Sequence, residues 1–162
     1  MKRIISISIL LCLLLCGCGQ RLKEPVTFYY LNANFEEDMS TVILSEQREA
    51  SGHRHDLSYL MALYLMGPTE EDLRSPIPRG TRIYTSAYSE DSVELNLSDT
   101  DKTLTDSEFS LACACLSLTC LDLTEAQSVT ISSGSRSLTM TRDALLLSDS
   151  ILSVTEQQEE TQ

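Results

Sequence analysis

ALYLMGPTEEDLRSPIPRG, residues 62–80, holds three of the chain's four prolines and two of its six glycines. Just upstream, Leu57, Leu60, Met61, Tyr64 and Leu65 recur at the three- and four-residue spacing of one helical face, and Asp56 stands where an N-cap belongs. Gly67 can take the left-handed conformation that closes a helix, and Pro68 cannot continue one. Beyond an acidic spacer, Ser75 and Ile77 each precede a proline and are pushed toward extended backbone. Ile77-Pro78-Arg79-Gly80 has proline second and glycine fourth, the pattern of a type I turn. The stretch is therefore expected to end a helix and then deliver the chain, through a stiff connector, to a strand.

Working outward, the segments before this helix read as strands. VTFYYLN at residues 26–32 is rich in β-formers, and in STVILSE the side chains of Val42 and Leu44 share a face. NANFEEDM would join them. Its Glu36, Glu37 and Asp38 lack the ligand ladder and turn glycine of a calcium loop, so a solvated connection is expected. After the connector, Ile83, Thr85 and Ala87 alternate with Arg82, Tyr84 and Ser86, and Val93, Leu95 and Leu97 alternate with Glu94, Asn96 and Ser98. With Glu90-Asp91 between them, these segments form a hairpin. Thr105 or Asp106 would cap a second helix, apolar on most sides from Phe109 to Leu121 and so well buried. SVTISSGSRSLTM gives another strand, a turn at Gly134 and the option of a short return strand. TRDALLLSD adds a weak final apolar segment. No internal repeat is visible, and the order β-β-α-β-β-α-β predicts one α+β domain, a largely antiparallel sheet with two main helices packed on one face.

At the N-terminus, MKRIISISILLCLLLCGCGQ places Lys2 and Arg3 before an apolar run from Ile4 to Leu15. That run is well short of the roughly 20 residues that span a bilayer, which marks a secretory signal. Leu15-Cys16-Gly17-Cys18 resembles the bacterial lipobox, and the resemblance implies cleavage after Gly17 and diacylation of Cys18. Two acyl chains are enough for stable anchoring on the outer face of the cell membrane. Cys16 fits less well, because large Leu15 would stand just before the cut. The expected division is a signal peptide over 1–17, anchor and tether over 18–25, the domain over 26–152 and a disordered tail over 153–162.

The formal net charge is −12, and loss of Lys2 and Arg3 with the signal would take it to about −14, since no acidic residue leaves with them. A body so charged is repelled by nucleic acid and by anionic wall polymers or headgroups, so no nucleic-acid partner is expected. Cys113, Cys115 and Cys120 remain. On a helix, Cys113 and Cys120 share a face about 10 Å apart along the axis while Cys115 points elsewhere, so no disulfide closes within it. The set also lacks the CxxC spacing of a zinc site. Buried free thiols are the expectation, with an intermolecular disulfide or a redox role as alternatives.

Residues with catalytic chemistry are sparse. His53 and His55 flank Arg54 beside Asp56 and could touch a metal from a strand, but a loop or helix entry is expected and no second cluster completes a shell, so no metal or other cofactor is expected. No serine sits in a Gly-x-Ser-x-Gly context, and the thiols have no histidine cue nearby. Paired carboxylates for wall hydrolysis arise by chance among 24 acidic residues. Exposed aromatics are a stronger lead. Tyr29 faces opposite Phe28 and Tyr30, and Tyr84 and Tyr88 face opposite Ile83 and Ala87. On an uncovered sheet face Tyr29, Tyr84 and Tyr88 would form a binding surface; on a half-solvated one they are ordinary cross-strand packing. Unpaired strand edges offer a second route to assembly.

The run YLMGPTEEDLRSPIPRGTRI, then VELNLS, then LACACLSLTCLDLTEAQSVTISSG resembles the GerMN domain of sporulation and germination lipoproteins. Gly67, Pro68, Pro78, Gly80 and Thr81 match its first block, Val93, Leu95, Leu97 and Ser98 its second, and Val129, Ile131 and Gly134 its third. The cysteine-rich second helix departs from the family's more usual Thr-Leu-Thr ending, and this chain holds one copy where two are frequent. The resemblance implies a non-enzymatic module outside the membrane of Gram-positive bacteria, with a protein partner or self-association in an envelope or sporulation complex. The alternatives are a lipoprotein that binds a small molecule or wall fragment in a pocket lined by Tyr64 or Tyr84, and a wall hydrolase with a carboxylate of raised pKa.

Overall fold

The computed structural model describes residues 23–35, 41–100 and 103–145, so Cys18, the acidic run at 36–38 and the tail at 153–162 lie outside it. The elements are β1 (Pro25–Asn32), β2 (Ile43–Glu49), α1 (Leu57–Leu65), β3 (Leu73–Arg74), β4 (Ile83–Ser89), β5 (Ser92–Leu97), α2 (Asp106–Leu123), β6 (Ser128–Ser133) and β7 (Arg136–Thr141). A helical turn at 142–145 follows.

The α+β class is as expected, with finer differences. The strands divide between two sheets, β2-β1-β3 and β4-β5-β6-β7, and the spacer after α1 contributes the two-residue β3. β7 is a full strand, antiparallel to β6. β5 and β6 run parallel, because α2 lies between them and carries the chain back to its starting end before β6 begins. Val93, Leu95 and Leu97 on β5 and Val129 and Ile131 on β6 are buried against the helices, together with Phe28, Tyr30, Leu60, Met61, Tyr64 and Leu116.

Local chemistry fixes the helix ends. The Asp56 carboxylate accepts the Tyr59 N–H at 3.0 Å, and Gly67, at φ 88°, donates its N–H to Tyr64 O at 3.0 Å. Of the two candidate caps on the second helix, Thr105 serves: its hydroxyl accepts the Glu108 N–H while Glu108 accepts the Thr105 N–H at 2.8 Å. Those bonds from Thr105, the backbone one foremost, hold the Glu108 carboxyl below its ordinary pKa. The proline turn falls one residue later than expected. Thr81 N–H donates to Pro78 O at 3.2 Å, and Gly80, at φ 90°, occupies the third position of the four, the one where a type II turn needs positive φ.

Strand β7 also anchors both ends of α2. Arg136 stacks over the Phe109 ring at 4.4 Å and donates to Leu104 O at 3.0 Å, just before the first turn. Arg142, immediately after the strand, donates to Leu121 O at 2.6 Å and Ala126 O at 3.0 Å, where the last turn leaves carbonyls open.

Candidate functional site

The Gly-Pro segment is bound to β2 by a buried ionic clasp. Glu46 and Arg48 lie two apart on β2, on the face that also carries Leu44. Glu46 Oε2 accepts the Thr69 hydroxyl at 2.8 Å, the Thr69 N–H at 2.9 Å and the Glu70 N–H at 3.3 Å; its Oε1 faces the Arg48 guanidinium at 3.6 Å. Arg48 in turn donates to Gly67 O at 3.0 Å and Leu63 O at 3.3 Å, carbonyls in and just after the last turn of α1. The motif residues Gly67, Pro68, Pro78, Gly80 and Thr81, from the two ends of one connector, line a single concavity of about 440 Å³ together with Met66 and Arg79. Their role in the fold is to shape this end of the molecule.

The tyrosines separate into two kinds. Tyr30 and Tyr64 are fully buried and stacked, 4.7 Å between ring centres and 8° from parallel. Each hydroxyl reaches the other segment's backbone: Tyr30 donates to Tyr64 O at 3.1 Å, and Tyr64 to Tyr29 O at 2.9 Å. Burial pushes both phenols well above their ordinary pKa, so they remain neutral donors. Tyr64 is therefore a core residue and not a pocket wall. Tyr29 is half-buried, and Thr119 Oγ1 takes its N–H at 3.0 Å. Thr119 and Tyr64 thus cover the side of β1 that β3 is too short to pair, closing one edge that would otherwise be open.

Tyr84 and Tyr88 are exposed, and they do not share one strand face. Ile83 opposes Leu97 but Thr85 opposes Asn96, so Tyr84 is the extra residue of a β-bulge. Past it the alternation inverts: Ser86 and Tyr88 oppose buried Leu95 and Val93, and Ser86 Oγ lies 2.9 Å from Ser58 Oγ of α1. A groove of about 520 Å³ lies between residues 83–87 of β4, Tyr84 among them, and Ser58, Met61, Ala62 and Leu65 of α1. Tyr88 lines a second, of about 470 Å³, with Leu57, Leu60, Leu123, Arg54 and His55. Tyr29 lies on the other sheet and lines neither. Met66, 79% exposed, directly follows α1, so among the described residues the large exposed hydrophobics lie at the end of α1 and on β4. Sequence alternation could not find this arrangement, because a bulge leaves no mark in a seven-residue apolar-polar pattern.

Nucleophile and metal candidates have other surroundings. Cys113, Cys115 and Cys120 are buried free thiols, each pushed up to about 12 by burial, with Cys120 Sγ 3.9 Å from Met61 Sδ. A maleimide is expected to leave all three unmodified in the native protein while labelling them in the urea-unfolded chain; fast native labelling would contradict the burial. Because the folded pKa values lie above the unfolded ones, these thiols stabilise the fold below the ordinary thiol pKa. That contribution falls as pH rises through and beyond it. His53 stacks on Tyr59 at 4.1 Å and pairs with Asp56 at 3.8 Å, on the exposed approach to α1. Among the described residues no group of three or more His, Cys, Asp or Glu side chains is placed to hold a metal ion, and no helix is long and apolar enough to cross a membrane.

Comparison with curated proteins found no match. Among solved structures the chain is similar to a crystal structure of a protein described as a candidate lipoprotein from Clostridium perfringens, at 13% identity, covering 74% of this chain and 89% of that one, with a TM-score of 0.46. Residues 27–139, from β1 to β7, match the model of the family Germane, described as sporulation and spore germination, and the chain belongs to that family.

Proposed function

We propose that this protein is an extracytoplasmic module, held to the outer face of the membrane by lipid on Cys18, that acts by contact with other proteins in a sporulation, germination or envelope assembly and catalyses no reaction. The family membership supplies the biological setting. One observation carries the contact reading: buried polar groups such as Glu46, Arg48, Thr119, Tyr30 and Tyr64 bond to backbone or to one another, whereas Met66, Tyr84 and Tyr88 present apolar surface to solvent beside α1 and β4.

Crosslinking of the full-length protein in its native membrane, during growth and during sporulation, followed by mass spectrometry of what it captures, tests the reading. Discrete protein partners are expected, and Cys18→Ser is expected to release the protein from the membrane fraction. Recovery of the protein alone would overturn the assembly role. Recovery with small wall fragments only would favour a ligand-binding reading, for which the groove of Leu57, Leu60, Tyr88 and Leu123 beside Arg54 and His55 is the site with suitable shape.

A further inference from the structure

The concavity of the Gly-Pro connector differs in charge from the molecule around it. On a chain of net charge −12, its lining (residues 65–68, 73–75 and 77–81) holds Arg74 and Arg79 and no carboxylate. The groove beside Arg54 and His55, by contrast, also holds Asp122 and Glu125. Arg48, Arg136 and Arg142 donate to carbonyls at helix ends, and Arg54 donates to Pro25 O. Arg74, Arg79 and, just beyond, Arg82 are exposed, and none of them forms an ion pair among the described residues. Glu108 feels the charge of Arg74 across a smaller depression, but its carboxylate is held by Thr105.

The rest of the lining narrows what can bind. Both hydroxyls are engaged within the connector, Ser75 Oγ with Ile77 and Thr81 Oγ1 with Pro78 O. Recognition of an anion therefore falls to the two guanidinium forks, which match carboxylates. Four apolar side chains complete the site: Leu73 and Ile77 are buried, Leu65 is half-buried and Met66 is exposed. Leu65 also lines the groove of Tyr84, so the concavity adjoins the exposed apolar surface at α1 and β4. A phosphodiester polymer would bring charge without an apolar body, and its further charges would meet Glu70, Glu71 and Asp72 in the same connector. The concavity stands at the end of β1 opposite Pro25, since Asn32 pairs with Leu73, so a chain anchored ahead of Pro25 turns it away from the membrane. We propose that it docks a short acidic segment of a partner protein, with Arg74 and Arg79 taking carboxylates on either side of an apolar residue that rests on Leu65, Met66, Leu73 and Ile77. This rests on the assembly reading above and deepens it by naming where a partner is held and by what chemistry.

Fluorescence anisotropy with the full-length lipidated protein in detergent tests it, the probe being a fluorescein-labelled peptide with two glutamates on either side of Leu-Phe. That peptide is expected to bind about tenfold more tightly than its counterpart with glutamine for glutamate, and to weaken as salt is raised. Arg74→Gln and Arg79→Gln should each weaken binding about threefold and together about tenfold, while Arg54→Gln in the other groove should leave it unchanged. Circular dichroism should show the variants folded, since neither Arg74 nor Arg79 makes a side-chain hydrogen bond or ion pair among the described residues. Absence of binding, equal binding of the glutamine peptide, or indifference to both arginine changes would each overturn the proposal. Long-chain polyphosphate binding more tightly than the peptide through the same two arginines would also overturn it, by making the concavity a polyanion site. A double variant that still captures the wild-type partners in the membrane would defeat this site alone, whereas a wild type that captures none would defeat the assembly reading itself.

Discussion

Replacing Tyr64 with alanine is expected to cost about 3–5 kcal/mol in chemical denaturation, a large part of the whole stability of an ordinary domain of this size. The ring lies between β1 and the rest of the core, stacked on Tyr30 and edge-on to Phe28 at 5.8 Å, and is completely buried. Truncation removes that packing and opens a cavity that β1, held at Tyr29 by Thr119, cannot easily fill. Phenylalanine separates packing from hydrogen bonding. Tyr64→Phe keeps the ring but loses the bond to Tyr29 O, for about 1–2 kcal/mol. Tyr30→Phe should cost less, because its acceptor, Tyr64 O, also receives the Gly67 N–H. The ordering Tyr64→Ala, Tyr64→Phe, Tyr30→Phe is the prediction. Equal losses for the two phenylalanine variants would mean that the reciprocal hydroxyl bonds are not what ties β1 to α1.

The sequence carries the signals of this arrangement unevenly. Asp56, the apolar stripe through Leu65 and the Gly67-Pro68 stop locate α1, because caps and breakers act through the nearest few residues. The hairpin turning at Glu90-Asp91 is equally local. Partition into two sheets is not, since it depends on which distant strands pair, β1 with β2 and the two-residue β3 rather than with any strand of the second sheet. The parallel pairing of β5 with β6 could have been read from the β-α-β order, whereas the bulge that sends Tyr88 to the α1 side could not. Polar residues on strands are the least legible. Glu46 bonds the segment after α1, Arg48 the end of α1 and Arg136 the approach to α2, each from a distant strand, long-range matches that no spacing rule encodes.

Glu46→Gln is the second change expected to have a large effect, about 3–5 kcal/mol, even though it alters the side chain's shape very little. Oε2 receives three donors from Thr69 and Glu70, while Oε1 accepts no hydrogen bond and faces the Arg48 guanidinium at 3.6 Å as an ion pair. An amide supplies one acceptor and one donor. Whichever way it is turned, its NH2 confronts either the loop N–H groups or the guanidinium, in a site where Glu46 is 5% exposed. Arg48 then keeps its bonds to Leu63 O and Gly67 O but loses its countercharge. A double-mutant cycle with Arg48→Met measures the coupling directly: the double variant should be more stable than the sum of the single losses implies by at least about 1 kcal/mol, because removing both charges leaves neither one buried alone. If the effects simply add, the pair contributes nothing as a pair, and the Gly-Pro segment is held on β2 by the Thr69 and Glu70 bonds alone.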